Sequence, residues 1–142
     1  MSNFYETLRD LISEKNINNK ILAAEIGLSA SCITDYALKN ALPSVKTLIK
    51  LADYFNCSTD YLLGRESDQY LHFKKCPPFS ERIIFLTEYF GCKPVDVYGP
   101  GKISKSNYFD WKKGKRQPTL DNVIKLAEQF DCRVDFILGR ES

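Results

Sequence analysis

The chain of 142 residues carries 20 basic and 18 acidic side chains, so its formal net charge of +2 gives no strong indication of a polyanionic partner. Five cysteines without a CxxC pair, at positions 32, 57, 76, 92 and 132, indicate neither a zinc site nor a closed set of disulfides. No apolar run approaches membrane-spanning length, and the N-terminus lacks the apolar stretch of a signal peptide. We therefore expect a cytoplasmic protein that does not bind a membrane.

The sequence repeats itself with a period of 75 residues. Residues 43–67 and 118–142 align without a gap, and 13 of these 25 positions are identical. The same offset continues upstream, where it pairs Tyr36 with Trp111. A fixed period indicates a duplicated structural unit.

The repeat predicts two domains, at 1–67 and 78–142, joined by a linker at 68–77. The first domain carries 7 basic and 8 acidic side chains, whereas the second carries 11 and 9 and is the more basic of the two. The predicted linker contains the only histidine of the chain, His72, which has no second histidine with which to form a metal site or a proton relay.

Apolar spacing predicts five helices and no strand in the first repeat. The inward residues of the first helix recur at i, i+4, i+7 and i+8: Phe4, Leu8, Leu11 and Ile12. Asn18 is expected to cap the second helix, which ends at Gly27 because glycine tolerates a positive φ. Ser29 then caps a third helix, whose predicted inward face is Ile33, Tyr36 and Ala37. Ser44 caps the fourth helix, and the last one ends at Gly64. The second and third helices, with their tight turn, form a helix-turn-helix.

The second repeat departs from this pattern at its second helix. Where the first repeat reads ILAAEIGL, the second reads DVYGPGKI. Pro100 lacks a backbone donor and its ring clashes with the preceding turn, so we expect this helix to be shortened or lost. Trp111 occupies the position of Tyr36 and is expected to point inward in the same way.

The segments NINNKILAAEIGLSASCITDY and PSVKTLIKLADYFNCSTDYLLG resemble the XRE family of helix-turn-helix regulators, which includes phage Cro and repressor relatives. The resemblance covers residues 4–66, and the second repeat is similar through WKKGKRQPTLDNVIKLAEQFDCRVDFILG. It implies an all-α chain of two tandem, five-helix, lambda-repressor-like domains. It also implies sequence-specific binding of double-stranded DNA by a transcriptional regulator, and a repressor in particular, with the third helix in the major groove.

The resemblance also implies which residues of the first repeat contact DNA. The groove-facing set on the third helix is Ala30, Ser31, Thr34, Asp35 and Leu38. Asn19 matches a position where the family usually has a glutamine that touches the DNA backbone, and Lys39 and Asn40 follow the recognition helix. Phosphates repel the Asp35 carboxylate, which would either accept a hydrogen bond from cytosine N4, cap a neighbouring backbone group or face solvent.

In the second repeat the expected DNA-contacting residues are more basic. They are Lys105, Ser106, Asn107, Phe109, Lys112, Lys113, Lys115 and Arg116. A run of cations directly after a recognition helix favours phosphate contact over a merely solvated loop.

Two other functions stay open. A protein-binding module on the same fold, such as an antitoxin, an antirepressor or another inhibitor, would fit the near-neutral charge, the lysine-free recognition helix of the first repeat and the broken helix of the second. Alternatively, one repeat binds DNA and the other dimerises. A homodimer, or an intrachain pseudo-dimer with Tyr61 and Leu62 against Phe136 and Ile137, would meet two half-sites about 34 Å apart.

An enzyme is not expected. The sequence offers no paired histidine and carboxylate positions, no glycine-rich phosphate loop and no nucleophile elbow, and GPGK lacks the spacing of a P-loop. We accordingly predict no cofactor and no metal.

Overall fold

The computed structural model describes residues 4–38, 41–65 and 73–141. It divides the chain into two compact units, Met1–Leu71 and His72–Ser142. Each unit has five helices in its described part, and no strand occurs among the described residues. The all-α prediction is therefore confirmed.

Three residues singled out from the sequence, Lys39, Asn40 and His72, lie outside the described residues. Within the described ranges, no helix is long and apolar enough to cross a membrane. The same ranges hold no group of three or more histidine, cysteine, aspartate or glutamate side chains arranged to bind a metal ion.

The first unit consists of five helices: α1 (Phe4–Glu14), α2 (Asn19–Ile26), α3 (Ala30–Leu38), α4 (Val45–Phe55) and α5 (Thr59–Leu62). The predicted caps are confirmed. The Asn18 side chain accepts a hydrogen bond from the Ile21 N–H at 2.8 Å, and Ser44 does the same for the Thr47 N–H at 3.2 Å. Gly27 ends α2 with a φ of 77°, a left-handed conformation that glycine adopts at little cost.

The core of the first unit consists of fully buried aliphatic side chains from all five helices: Leu8, Leu22, Ile33, Leu48, Leu51 and Leu62. The Tyr36 ring packs edge-on against Phe4, with the ring centroids 5.3 Å apart. The prediction that Ala37 points inward is wrong, because Ala37 is exposed. Successive residues of a helix lie 100° apart, so Tyr36, which packs against Phe4, leaves Ala37 on the outer side.

The second unit repeats the order with α6 (Phe79–Tyr89), α7 (Pro94–Val97), α8 (Lys105–Lys112), α9 (Leu120–Gln129) and α10 (Val134–Leu138). Its second helix, α7, has only four residues, which confirms that the Gly-Pro-Gly sequence shortens it. An isolated bridge between Tyr98 and Ile103 closes the loop that follows. Val97 and Ile103 are both buried, so the loop still contributes an apolar side chain to the core.

Two side chains donate hydrogen bonds that further turns of α7 would otherwise supply. The Lys102 ammonium donates to the Asp96 carbonyl at 2.9 Å, and the Gln129 side-chain amide donates to the same carbonyl at 3.2 Å. Carbonyls in the last turn of a helix lack an intrahelical donor. These two donors therefore stabilise the C-terminal end of α7, which comes after only four residues.

An ion pair follows the last helix of each unit; it is fully buried in the second unit, whereas its arginine is partly exposed in the first. Arg65 Nε lies 3.0 Å from Asp60 Oδ1 in the first unit, and Arg140 Nη1 lies 2.6 Å from Asp135 Oδ1 in the second. In both cases the backbone N–H of the arginine also donates to the backbone carbonyl of the same aspartate, at 2.8 Å. The matching Gly-Arg pairs, Gly64-Arg65 and Gly139-Arg140, are thus explained by helix termination.

The C-terminal end of α10 receives further contacts in the second unit. Arg82 of α6 donates to the Ile137 carbonyl at 3.2 Å and to the Phe136 carbonyl. Burial lowers the pKa of Arg82, because removing water disfavours the charged guanidinium. The Lys74 N–H donates to the Arg140 carbonyl at 2.9 Å, so the segment from residue 73 to 77 packs on this unit.

Candidate nucleic-acid interface

The outer face of α3 carries small and mostly uncharged side chains. Ala30, Ser31 and Thr34 are exposed, and Asp35 is half-buried. The Thr34 hydroxyl donates to the Ala30 carbonyl at 3.1 Å, and the Ser31 hydroxyl lies 3.0 Å from that of Ser29. Small hydroxyls and methyl groups let a helix backbone come close to base edges in a major groove.

No residue of α3 is positively charged. Leu38, at its end, is 77% exposed, and it supplies an apolar surface of the kind that contacts a thymine methyl group. The described part of this recognition helix is therefore suited to base contacts and poorly suited to holding phosphates.

The start of α2 is the second part of the candidate site in the first unit. Asn19 is half-buried at the first helical position and Lys20 beside it is exposed. Asn18 occupies the Ile21 N–H, so the N–H groups of Asn19 and Lys20 are the ones without an intrahelical acceptor. Together with the positive end of the helix dipole, such groups favour a phosphate.

The second unit has a strongly basic recognition helix and loop. Residues 102–118 contain six basic side chains and one acidic one, a formal charge of +5. The equivalent residues 27–43 contain one of each and are neutral. The exposed members of the predicted set are Lys105, Ser106, Lys112, Lys113, Lys115 and Arg116, whereas Asn107 and Phe109 are half-buried.

The buried side of α8 fixes the direction of its exposed side. The Trp111 ring is almost fully buried and packs edge-on against Phe79, with the centroids 5.5 Å apart. This confirms that Trp111 points inward, as Tyr36 does in the first unit.

Burial raises the pKa of Tyr36, with a smaller contribution from Cys32, so its phenol stays neutral.

Asp110, the one acidic residue of the basic segment, is paired. Its Oδ2 lies 3.4 Å from Arg116 Nε, and its backbone carbonyl accepts a hydrogen bond from the Lys115 N–H at 2.8 Å. The pair draws Arg116 back toward the end of α8. It also offsets the negative charge of the Asp110 carboxylate within this basic segment.

The N-terminus of α7 differs from that of α2. The Lys93 N–H donates to the Asp96 carboxylate at 3.0 Å, so an acidic side chain already occupies the position where a phosphate would bind. Sequence reasoning missed this feature, although an acidic residue three positions after a helix start is a known capping pattern. The second unit therefore presents its positive charge from α8 and the following loop.

Comparison with known proteins agrees with this geometry. A helix-turn-helix family profile matches residues 8–62 and 101–137. The chain is 32% identical over 66 residues to YqaE of Bacillus subtilis (strain 168), named an uncharacterized HTH-type transcriptional regulator. That alignment covers 46% of this chain and 57% of YqaE, so the chain spans little more than half the length of this relative. No solved structure matches the chain. Because the two profile matches cover more than half of its residues, the chain belongs to the helix-turn-helix family of the XRE type.

Proposed function

We propose that the protein binds double-stranded DNA and regulates transcription, as a repressor. One observation carries this proposal: the recognition helix and loop of the second unit concentrate a charge of +5 within residues 102–118. The whole chain carries only +2, so the remaining residues sum to −3. Placing the cations on the outward face of a recognition helix, in an otherwise acidic chain, favours a phosphate backbone as the partner.

The second unit supplies most of the affinity in this proposal. Lys112, Lys113, Lys115 and Arg116 are exposed around the end of α8. Each phosphate that they neutralise releases condensed counterions, which makes binding tight at low salt and weak at high salt. Lys105, at the start of the same helix, extends the basic surface along the recognition helix.

The first unit supplies base contacts. Its recognition helix offers Ala30, Ser31 and Thr34, which are short enough to allow close approach to base edges. The start of α2 holds one phosphate through backbone N–H groups and Lys20, and so fixes the depth at which α3 enters the groove.

Repression requires nothing beyond occupancy of the DNA. A protein bound across a promoter excludes other proteins from the same base pairs, whereas activation needs a further surface that contacts the transcription machinery. The footprint of the protein on its selected DNA measures how much is occupied. Two protected half-sites about 34 Å apart would support reading by both units, and one short site would count against it.

The test of the proposal starts with selection of bound fragments from random duplexes, followed by affinity measurements at several salt concentrations. Replacing Lys112, Lys113, Lys115 and Arg116 together with alanine should reduce the affinity at least 100-fold at low salt. It should also lower the slope of log K against log salt by about 3 to 4, because each lost phosphate contact removes about 0.9.

A matched control removes four exposed cations from other surfaces: Arg9, Lys50, Lys75 and Lys125. This variant has the same net charge as the first, so the salt slope should stay within one unit of the wild-type value. An absence of enriched sequences at low salt, or an equal loss in the two variants, would overturn the proposal.

The absence of a cation from α3 favours a second candidate function, a module that binds a protein on the same scaffold. Such an interface depends on apolar contacts and responds little to salt. Affinity that varies less than a few-fold between 50 and 200 mM salt would support this candidate, since phosphate contacts predict about 10³-fold or more for six contacts.

A further inference from the structure

The second unit combines aromatic rings and lysines on the surface formed by α8 and the loop before it. Along α8, Lys105, Phe109 and Lys112 follow one another at i, i+4 and i+7, so they lie on one face of the helix. Both lysines are exposed, and Phe109 is half-buried. The half-buried Tyr98, just after α7, lies beside them: its ring centroid is 5.8 Å from that of Phe109 and 6.0 Å from Lys105 Nζ. We call these four residues the ring-lysine surface.

Contacts with the interior hold the two rings in place. Tyr108 is 1% exposed, and its ring centroid lies 5.5 Å from that of Tyr98 and 5.2 Å from that of Phe109. The backbone after Tyr98 is fixed as well, because the Gly99 N–H donates to the Ile103 carbonyl at 3.1 Å. Rings that are ordered before binding lose little side-chain entropy when a ligand covers them.

The first unit shows that the fold does not require these rings. The position equivalent to Phe109 holds Thr34, which is exposed, and the position equivalent to Tyr98 holds Ala23. The small Thr34 side chain lets α3 approach base edges in a groove, whereas a phenyl ring at the same place keeps the backbone of α8 farther from them. The rings of the second unit therefore need an explanation other than helix packing or close reading of a groove.

Cations interleaved with aromatic rings suit a single strand of nucleic acid. In a duplex each base stacks on its neighbours and presents only its edge to a groove, whereas an unpaired base offers its flat face. That face stacks on an aromatic ring, while cations beside the ring hold the backbone. The formal charge of +5 over residues 102–118 is complementary to a polyanion. An uncharged protein segment would not neutralise these cations.

We propose that the ring-lysine surface binds single-stranded nucleic acid, with one unpaired base stacked on the two rings and the neighbouring phosphates on the two lysines. This site goes beyond the proposed duplex binding, because its ligand has no second strand. The two activities share the lysines of α8 and do not share the rings. Substitution of a ring therefore separates them.

The proposal is tested by the affinity of the full chain for oligothymidylate and oligouridylate of about 12 nucleotides, within the range of known single-strand sites. The wild type should bind at low salt. Phe109→Leu keeps an apolar side chain and removes the ring, so it should weaken binding at least about 5-fold, the lower end of what one stacked base contributes. Phe109→Tyr keeps the ring and should bind as the wild type does. A loss with the DNA strand, the RNA strand or both supports the proposal and identifies the source of the ligand.

A matched control removes a ring outside the ring-lysine surface. Tyr89 on α6 is 62% exposed, and Tyr89→Leu should leave the affinity for both oligonucleotides unchanged. Phe109→Leu should also leave the affinity for a duplex of the same length unchanged, since paired bases offer no free face. Phe109→Thr, which introduces the residue of the first unit, replaces Phe109→Leu if circular dichroism shows the latter to be unfolded.

Three results would overturn the proposal: a wild type that binds neither oligonucleotide at low salt, equal losses in Phe109→Leu and Tyr89→Leu, or a loss for the duplex as large as for the single strand. Single-strand binding that depends on Phe109 in a protein that binds no duplex would support this inference and overturn only the proposed function.

Discussion

The two units share an interior and differ in their surfaces. In the interior, Phe4 packs on Tyr36 at 5.3 Å just as Phe79 packs on Trp111 at 5.5 Å. On the surface, Asp10 and Glu14 of α1 are replaced by aromatic residues on α6, and α3, which has no basic residue, is replaced by α8 with two lysines. Duplication has therefore kept what the helices need in order to pack and has changed what each unit presents to a partner.

The units also differ in how their second helices meet a phosphate. The N-terminus of α2 has a neutral cap, Asn18, whereas that of α7 is occupied by the Asp96 carboxylate. The unit with the open helix N-terminus has no cation in α3, and the unit with the closed one has the basic loop. In the proposed function, each unit supplies a different part of the DNA-binding surface, with base contacts assigned to the first unit and phosphate contacts to the second.

The largest expected effect concerns the ion pairs Asp60–Arg65 and Asp135–Arg140. Asp135→Ala leaves Arg140 buried without its carboxylate, which should destabilise the second unit by about 3–5 kcal/mol. Asp60→Ala should cost the first unit less, about 1–3 kcal/mol, because Arg65 is 28% exposed and can be hydrated. Urea denaturation followed by tryptophan fluorescence reports on the second unit alone, since Trp111 is the only tryptophan.

The same two variants serve as controls for each other. Asp60→Ala should leave the tryptophan midpoint unchanged while it lowers the stability measured by far-ultraviolet circular dichroism. If the two substitutions cost the same within 0.5 kcal/mol, the difference in burial between Arg65 and Arg140 has no energetic consequence, and the two units are closer in their interiors than the structure indicates.

Local features of the fold could be predicted from the sequence, and contacts between distant residues could not. Asn18 and Gly27 act on backbone groups within a few positions, so their residue types and spacing sufficed. The role of the Asp135 and Arg140 pair was missed because charges five positions apart have no fixed meaning on a helix. The identity of these residues with Asp60 and Arg65 was the available signal.

In the candidate site too, local features could be predicted from the sequence and contacts that depend on packing could not. The basic run after α8 and the shortened α7 follow from composition and from Pro100, which act locally. The pairing of Asp110 with Arg116 depends on how the chain turns at Gly114, whose φ is 75°. The exposure of Ala37 depends on where Tyr36 packs. Neither of these two could be predicted from a helical period alone.

A smaller effect is expected at the helix starts. Asn18→Ala removes the side-chain acceptor of the Ile21 N–H and should destabilise the first unit by about 1 kcal/mol. It should also weaken DNA binding, because a frayed first turn no longer directs its N–H groups at a phosphate. Asp96→Ala should cost a similar amount of stability in the second unit. Circular dichroism and DNA affinity are measured on both variants.

The two capping substitutions, Asn18→Ala and Asp96→Ala, should differ in their effect on DNA affinity. Removing the Asp96 carboxylate takes a negative charge away from the N-terminus of α7, so DNA affinity should stay the same or rise. Asn18→Ala should lower it. A fall in affinity with Asp96→Ala, in protein that is still folded, would show that α7 contributes to binding in its capped form.

The smallest effect separates the roles of the two recognition helices. Asp35→Asn and Asp110→Asn each remove one negative charge from a helix that we propose faces DNA. A partly exposed charge of this kind is worth about 0.5–1 kcal/mol, which is about 2- to 5-fold in affinity. If the second unit holds phosphates, Asp110→Asn should raise the affinity for every duplex equally, because it also releases Arg116 from the ion pair. If the first unit contacts bases, Asp35→Asn should change the ratio between the selected sequence and an unrelated one. Measuring both duplexes with both variants distinguishes these outcomes. An equal change in the ratio for the two variants would mean that the recognition helices have the same role, despite the difference of five charges between residues 27–43 and residues 102–118.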